Sequence, residues 1–316
     1  MIKLSDEYKS NIIKMFGELG SNWIDSIPTK IEKYVKKFKL SNIKVYDSLT
    51  YNIIIFADSE YYGKVILKIE IPYKEMTIRE SLALELNNGG GASKCYFKDI
   101  DDGVLLVERL MPGISLNTID DLEERVKIFS DVRERFNIRV NSANELPSYT
   151  DILNRSINMA HEQQERFSDI KSPVLKAESL YSEIARKNDN NYLLHSDLHG
   201  ENILLSGNEW KAIDPHGFIG NKVFDNAIFI QKELDKIGYS EENIDRLIEL
   251  IVKYNDFSKE SIAYALYVNY VLNLCWDKEV NLDVSSGLEK TSVINSYIEK
   301  DVKKKTLNNK KTLTNC

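Results

Sequence analysis

Several features are scarce in this chain of 316 residues, and each scarcity excludes a class of protein. It has three cysteines, Cys95, Cys275 and Cys316, which are widely spaced and odd in number, so they indicate neither a disulfide framework nor a CxxC motif. The N-terminal string MIKLSDEYKS lacks the apolar run of a secretory signal. The most apolar long window, 263–276, is too short to cross a bilayer, which takes about 20 residues. We therefore expect a cytoplasmic protein with reduced thiols and no membrane segment.

Basic residues are also fewer than acidic residues. Asp and Glu outnumber Lys and Arg by 49 to 42, and the net charge is −7. Because binding to nucleic acid depends on neutralising phosphates, this balance argues against a nucleic-acid partner and is compatible with a cationic small molecule. The composition, 42% hydrophobic and 29% charged, is that of a globular protein, and the length suffices for two lobes with a core each. We expect a monomer.

The first third of the chain changes from helical to strand periodicity. Apolar residues at helical spacing over 4–39 predict two helices with a break near Pro28. The β-branched runs 51–57 and 64–71 predict a hairpin, and the helical period returns over 75–88 until three glycines end it. The runs 92–100 and 103–110 predict a second hairpin.

The rest of the chain is predicted to be mainly helical, with one strand-rich island at 192–214. The predicted helices cover roughly 119–138, 148–168, 172–187, 224–236, 241–254, 258–277 and 285–305. This layout predicts an α+β, protein-kinase-like bilobal fold. We expect a small antiparallel-sheet lobe for nucleotide binding at 1–110, a hinge near 108–114, and a larger helical lobe at 111–316 with the catalytic loop and acceptor site.

The string 192–205, YLLHSDLHGENILL, carries the chemistry. Transfer of a phosphoryl group to a hydroxyl needs a carboxylate to align or receive the hydroxyl proton, and oxygen ligands for Mg²⁺ on the phosphates. His195, Asp197 and Asn202 fit the kinase spacing H-x-D-x-x-x-x-N, and Asp214 follows on a short strand. We predict Asp197 as the base, with Asn202 and Asp214 as hard oxygen ligands for Mg²⁺.

A kinase also needs a cation on the α- and β-phosphates and a carboxylate that orients it. Lys68 lies inside the apolar strand run VILKIEI, where a charge needs a partner. Glu80 and Glu85 on the next helix could both reach it, and we favour Glu80. The three glycines at 89–91 lack a following Gly-Lys-Ser/Thr and end a helix, so we do not interpret them as a phosphate loop.

Other residues have more than one interpretation. We place Tyr51 and Asn52, in the turn 48–52, over the phosphates, and Glu108 and Leu110 at the adenine through their main chain. His195 is interpreted as holding the catalytic loop more readily than as moving protons. His199 could orient the loop or face the acceptor, and Asp225 could be a helix cap or a brace for the loop.

These motifs make the sequence similar to the aminoglycoside/hydroxyurea antibiotic resistance kinase family, which includes streptomycin 6-phosphotransferases. The resemblance runs over most of the chain, through the strings GSNWIDSIP (20–28), SLTYN (48–52), VILKI (65–69), LVERLMPG (106–113), HSDLHGEN (195–202), AIDPHG (212–217) and LNLCW (272–276). It implies ATP and Mg²⁺ as cofactors, and the same roles for Lys68, Asp197, Asn202 and Asp214. Two departures stand out: Ser196 where Gly is usual, and Gly200-Glu201 where Pro-Gly is common. Trp276, Asp277 and Glu279 could line a pocket for a cationic sugar, or could be ordinary helix-end residues.

The sequence thus predicts an ATP- and Mg²⁺-dependent O-phosphotransferase that acts on a hydroxyl of an aminoglycoside-type antibiotic. Two alternatives remain open: a kinase for a metabolic alcohol such as a sugar, choline or homoserine, and a nucleotide-binding pseudokinase scaffold. The presence of base, metal ligands and lysine argues against the scaffold. A protein kinase is disfavoured because only 215–223 separates Asp214 from the next predicted helix.

Overall fold

The computed structural model describes residues 4–46, 49, 51–141, 145–187 and 189–314, with side chains up to residue 300. They fall into two units, one of Met1–Ser115 with Leu204–His216, the other of Leu116–Ile203 with Gly217–Cys316. The helices and strands along the chain are α1 (Asp6–Phe38), β1 (Leu40–Val45), β2 (Ile53–Ser59), β3 (Gly63–Ile69), α2 (Lys74–Asn87), β4 (Cys95–Asp99), β5 (Val104–Glu108), β6 (Pro112–Ser115), α3 (Leu122–Phe136), α4 (Tyr149–Glu162), α5 (Lys171–Lys187), β7 (Tyr192–Leu194), β8 (Ile203–Ser206), β9 (Glu209–Ala212), β10 (Phe218–Gly220), α6 (Val223–Ile237), α7 (Glu241–Tyr254), α8 (Lys259–Glu279) and α9 (Ser285–Thr314).

The first unit is built on a five-stranded antiparallel sheet of order β1-β2-β3-β5-β4. Alternate residues of β3, namely Val65, Leu67 and Ile69, are fully buried and join the apolar core that α1 covers with Trp23 and Ile27. Because side chains of a strand alternate between the two faces, Lys68 lies on the opposite face from this core. The sheet therefore separates the apolar core from the face that carries the predicted site residues.

Helix α1 has its break at a different place from the predicted one. The prediction of a break near Pro28 is wrong, since Pro28 lies inside the helix and the non-helical residue is Gly17, with φ 58° and ψ −134°. The chain then returns close to itself: a Cβ on Gly20 would lie 2.8 Å from the carbonyl oxygen of Ile12. Gly17 supplies the left-handed turn and Gly20 the close approach, so glycine and not proline sets the break.

The division between the units also differs from the predicted boundary after residue 110. Strand β6, which the sequence pattern did not predict, pairs with β8 in a sheet of order β6-β8-β9, with Pro112 opposite Ser206. The amide of Ser93 donates to the carbonyl of Ala212 over 2.9 Å. These pairings tie 204–216 to the first unit, and the division follows Ser115.

The second unit is mainly helical, as predicted. Its core helix α8 buries every residue from Ser261 to Leu272 and packs against α4, α5, α6 and α9. The predicted bounds of α5, α6, α7 and α8 lie within two residues of those observed. The two-stranded pair β7–β10, with Phe218 opposite Leu194, supports the start of the catalytic loop. The described helices include none that is both long and apolar enough to span a membrane.

Candidate active site

Lys68 is the centre of a buried charge cluster in the first unit. It is 4% exposed, and its Nζ pairs with Oε2 of Glu80 on α2 and with Oδ1 of Asp214 after β9. Of the two predicted partners, Glu80 is the one that reaches it, whereas Glu85 pairs with Lys98 at 2.7 Å. Strand β3 thus places the lysine, and α2 and the segment after β9 bring two carboxylates to it.

Glu70 is a third carboxylate in this cluster, and sequence reasoning missed it. It is 2% exposed, and its Oε1 lies 3.5 Å from Lys68 Nζ. The signal was present, because a residue two positions after Lys68 shares its face of the strand. Its amide donates to the carbonyl of Gly103 over 2.8 Å, which fixes its backbone against the β4–β5 turn.

The electrostatics of the cluster keep the Lys68 ammonium charged. Burial alone would lower the pKa of Lys68, but Asp214, Glu80 and Glu70 outweigh that effect and hold it well above its usual value. Burial raises the pKa of the Glu80 carboxyl, and Lys68 only partly offsets this. The Lys68 ammonium therefore stays charged between two buried carboxylates, Glu70 and Glu80, and the exposed carboxylate of Asp214. Of these carboxylates, the exposed Asp214 is the one that the sequence predicts as a hard oxygen ligand for Mg²⁺.

Asp214 has an unusual backbone conformation. Its φ of 61° lies in the left-handed region, which non-glycine residues adopt rarely and often at functional sites. The strand before it is anchored by a hydrogen bond of 2.8 Å from the Ala212 amide to the carbonyl of Gly91. Helix α2 ends at Asn87 with the left-handed Asn88 as its C-cap, and Gly91 beyond it holds the segment that carries Asp214.

Tyr51 and Asn52 lie beside a small cavity of about 110 Å³ in the first unit. Asn52 Oδ1 accepts a bond of 3.0 Å from the Ile71 amide, so this side chain fixes the end of β3. Tyr51 is 49% exposed, and its carbonyl accepts from the hydroxyl of Tyr8. The remaining lining residues are Glu70, Ile71, Met76, Glu80, Asp214, Pro215 and His216. The predicted phosphate-covering residues Ser48 and Thr50 lie outside the described residues.

The predicted adenine contacts occupy the end of β5. The amide of Glu108 donates to the carbonyl of Lys94 (2.8 Å), and the amide of Arg109 donates to that of Lys64 (3.2 Å). The side chain of Glu108 accepts from Lys211 Nζ at 3.3 Å, and Leu110 is buried. Both amides at 108 and 109 are therefore used within the sheet, which restricts the main-chain contacts that this segment can offer.

Asp225 braces the catalytic loop in the second unit. It is fully buried and accepts from the amides of His195 (3.0 Å) and Ser196 (2.8 Å) and from Asn137 Nδ2 (2.7 Å). Asn137 also donates to the carbonyl of Leu193 over 2.8 Å. The residue before α6 is Lys222, which makes no side-chain cap. Of the two interpretations of Asp225, the brace is the one the contacts show.

Asp197 and Asn202 lie together in this loop. Nδ2 of Asn202 donates to the carbonyl (2.9 Å) and to Oδ2 (3.1 Å) of Asp197, so the amide group is fixed by its nitrogen. His195 is fully buried, and its Nδ1 accepts from the amide of Asp197 at 3.3 Å. His199 Nδ1 accepts from the amide of Glu201 (3.4 Å), and its Nε2 lies 3.6 Å from Asp197 Oδ2. Both histidines thus make contacts that shape the loop.

The three suggested acceptor residues lie at the end of α8. Trp276 is 46% exposed, and the carbonyl of Asp277 accepts from the amide of Leu282 at 2.8 Å. The carbonyl of Glu279 accepts from Arg166 at 2.7 Å, and its carboxylate lies 3.8 Å from Arg155. These are the contacts of a helix C-terminus.

The candidate metal ligands do not form a protein-only cage. In the ranges that the structure describes, no group of three or more His, Cys, Asp or Glu side chains is arranged to hold a metal ion. Kinase sites bind Mg²⁺ with few protein ligands because the phosphates complete the coordination. A strand lysine paired with a helix glutamate and an aspartate, together with a braced H-x-D-x-x-x-x-N loop, defines a phosphotransferase of the protein-kinase-like fold.

Comparison with known proteins narrows that class. The sequence model of the aminoglycoside/hydroxyurea antibiotic resistance kinase family matches residues 63–281, and the chain belongs to this family. It is similar to the streptomycin 6-kinase of Streptomyces glaucescens, 22% identical over 301 residues, which are 93% of this chain and 95% of that protein. It is also similar to the streptomycin 6-kinase of Streptomyces griseus, 21% identical over 290 residues, with 89% and 92% covered.

Solved structures agree on the fold. Choline kinase LicA from Streptococcus pneumoniae has a TM-score of 0.60 at 16% identity, over 87% of this chain and 99% of that one. A thermostable mutant of aminoglycoside phosphotransferase APH(4)-Ia, in ternary complex with ADP and hygromycin B, has a TM-score of 0.59 at 9% identity, over 85% and 97%. The protein is a small-molecule kinase whose acceptor is an alcohol group, as the sequence predicted.

Proposed function

We propose that this kinase transfers the γ-phosphoryl group of ATP to a hydroxyl of an aminoglycoside antibiotic in a Mg²⁺-dependent reaction. The observation that carries the proposal is the family match, which spans the strand lysine, the catalytic loop and Asp214 in one alignment. The similar streptomycin 6-kinases are matched over nearly their whole length, which supports a shared acceptor class.

On this proposal the first unit holds the nucleotide. Lys68 would bind the α- and β-phosphates, with Glu80 orienting its ammonium. Asp214 pairs with Lys68, and a bound triphosphate would share that ammonium. Asp214 and Asn202 would supply the oxygen ligands of Mg²⁺, which neutralises charge on the phosphates when bound.

The catalytic loop would align the acceptor. Asp197 would accept the hydroxyl proton as the acceptor oxygen forms its bond to the γ-phosphorus and the bond to the β–γ bridging oxygen breaks, leaving ADP. Asn202 holds the Asp197 carboxylate by its amide nitrogen and keeps its amide oxygen out of that bond. Because the acceptor would be a polycation, the net charge of −7 favours its approach.

An acceptor panel tests the proposal. ADP release with ATP and Mg²⁺ would be measured in the presence of streptomycin, other aminoglycosides, choline, homoserine and simple sugars. We expect stimulation by at least one aminoglycoside and by none of the metabolic alcohols. Stimulation by a metabolic alcohol alone would contradict the proposed acceptor while leaving the kinase class intact.

A further inference from the structure

The turn that carries Asn202 begins at Gly200, and a neighbouring side chain fills the space beside it. A Cβ built on Gly200 would lie 2.0 Å from Oδ1 and 2.9 Å from Cγ of Asn117, closer than real Cβ atoms approach. Gly200 is not in the left-handed region, so glycine is required here by space and not by backbone conformation. The loop thus depends on where Asn117 lies.

Asn117 is held in this position by the last turn of α6. Lys236 Nζ donates to Asn117 Oδ1 and to Glu233 Oε1, each over 2.7 Å. The other oxygen of Glu233, which is fully buried, accepts from Arg125 at 2.6 and 3.2 Å. Arg125 also donates to the carbonyl of Ile119 over 2.6 Å, just after Asn117. The asparagine therefore sits in a connected network and cannot rotate away without breaking a bond.

Helix α6 consequently holds the catalytic loop at two places. Near its start, Asp225 accepts from the amides of His195 and Ser196. Near its end, Lys236 acts through Asn117 on Gly200. Asp197 lies between these two points of the loop, and Asn202 lies two residues after the second one. A helix that contacts a loop at two points fixes the geometry of the loop residues between and next to those points.

We propose that Asn117 and Lys236 are positioning residues for phosphoryl transfer, forming a latch that fixes the turn 200–202 and with it the amide of Asn202. Gly200 is the residue that leaves space for this latch, which accounts for a glycine at 200 where Pro is common. The proposal rests on the proposed roles of Asp197 and Asn202. Neither latch residue contacts the reacting atoms; both act through the turn.

Two single substitutions test the latch. Lys236→Ala and Gly200→Ala are each expected to lower kcat by about 10-fold to 100-fold, since misplacement by about 1 Å has effects of that size. The Mg²⁺ concentration needed for half-maximal rate should rise, because Asn202 is displaced, whereas a merely structural loss would leave it unchanged. Lys232→Ala on the exposed face of the same helix is the matched control and should behave like the wild type.

A double-mutant cycle separates the latch from a simple need for glycine. If the clash with Asn117 is the cause, Gly200→Ala should have no further effect once Asn117→Ala is present. Additive losses in the double variant would overturn the proposal.

Hydrogen exchange of the amides in 195–203 tests, without any acceptor, whether Lys236 orders the catalytic loop. Exchange should be faster in Lys236→Ala than in the wild type or Lys232→Ala. Unchanged exchange would overturn the latch. If the wild type phosphorylates no aminoglycoside, the proposed function fails while the exchange result still stands.

Discussion

Lys68 is the residue on which the charges of the first unit converge. Glu80 and Glu70 face its ammonium from buried positions, and Asp214 faces it from a position that is 48% exposed. An ion pair in such a place is strongly coupled, and removal of one partner usually destabilises a protein. Here two other carboxylates remain, so the loss of one negative charge should affect catalysis more than stability.

Substitution of Glu80 tests whether the loss of one carboxylate beside Lys68 affects catalysis more than stability. A hydrogen bond to a charged group contributes about 1.5–3 kcal/mol, so Glu80→Gln should lower kcat/KM for ATP by about 10-fold or more, with little change in melting temperature. Glu85→Gln, on the same helix but paired with Lys98, is the control and should be nearly neutral. A large loss of stability in Glu80→Gln without a change in kcat/KM would contradict the assignment.

Ser196 shows a second effect at the scale of one residue. Its φ of 61° disfavours a side chain, and in the described part of the chain its buried hydroxyl has no hydrogen-bond partner. Glycine at 196 should relieve this backbone strain, but it also gives the unfolded chain more conformational entropy. The net effect of Ser196→Gly should be a stabilisation of about 1 kcal/mol or less.

Urea unfolding measures this small gain. Ser182→Gly on the exposed face of α5 should do the opposite, losing about 0.5–1 kcal/mol. A destabilised Ser196→Gly would show that the serine hydroxyl makes a bond that matters.

At the scale of elements, α6 links the core of the second unit to its chemistry. Asp225 accepts three hydrogen bonds at full burial, two of them from main-chain amides of the loop. In Asp225→Asn, one carboxylate oxygen is replaced by an NH₂ group, which is a donor and cannot accept a hydrogen bond from the N–H groups that face it. Leaving a buried N–H unsatisfied costs about 1–3 kcal/mol, so the unfolding free energy should fall by that amount, together with kcat.

The exposed Asp256→Asn provides the comparison for this variant. If Asp225→Asn unfolded at the same urea concentration as Asp256→Asn and kept full activity, the brace would have no energetic importance.

The elements also show what the sequence can and cannot predict. Periodicity predicted α5, α6 and α7 closely, because each has an apolar face that local spacing reveals. Helix α8 was predicted from its continuous apolar run, and the residues of that run are buried on all sides of the helix. Strands β6 and β10 were missed, since they have only four and three residues and are defined by partners far along the chain. The break in α1 was misplaced because proline is the stronger local signal, while Gly17 acts through a turn that only packing selects.

In the candidate site, too, local patterns can be read from the sequence and contacts between distant residues cannot. Asp197 and Asn202 stand in one string, and Lys68 with Glu80 follows from a strand and the next helix, so local pattern and chemistry suffice to propose them. Contacts such as Asn117 with Gly200 and Lys236 join residues far apart in sequence, and no local pattern encodes them. A sequence therefore suggests candidate reacting groups more readily than the residues that hold them in place.

At the scale of the whole molecule, fold, family and charge cluster agree on one reaction class, transfer of a phosphoryl group to an alcohol. The kinase class follows from the family to which the chain belongs. The aminoglycoside acceptor and the role of Asp197 are the parts that a measurement can still contradict.

That measurement is phosphoryl transfer from γ-labelled ATP to streptomycin and related aminoglycosides, by the wild type and by Asp197→Asn at equal concentration, with ADP affinity determined for both. We predict labelled antibiotic with the wild type, a rate lower by about 10²-fold to 10⁴-fold with the variant, and equal ADP affinities. Equal rates for the two proteins would contradict Asp197 as the base, and an unlabelled antibiotic in every case would contradict the acceptor.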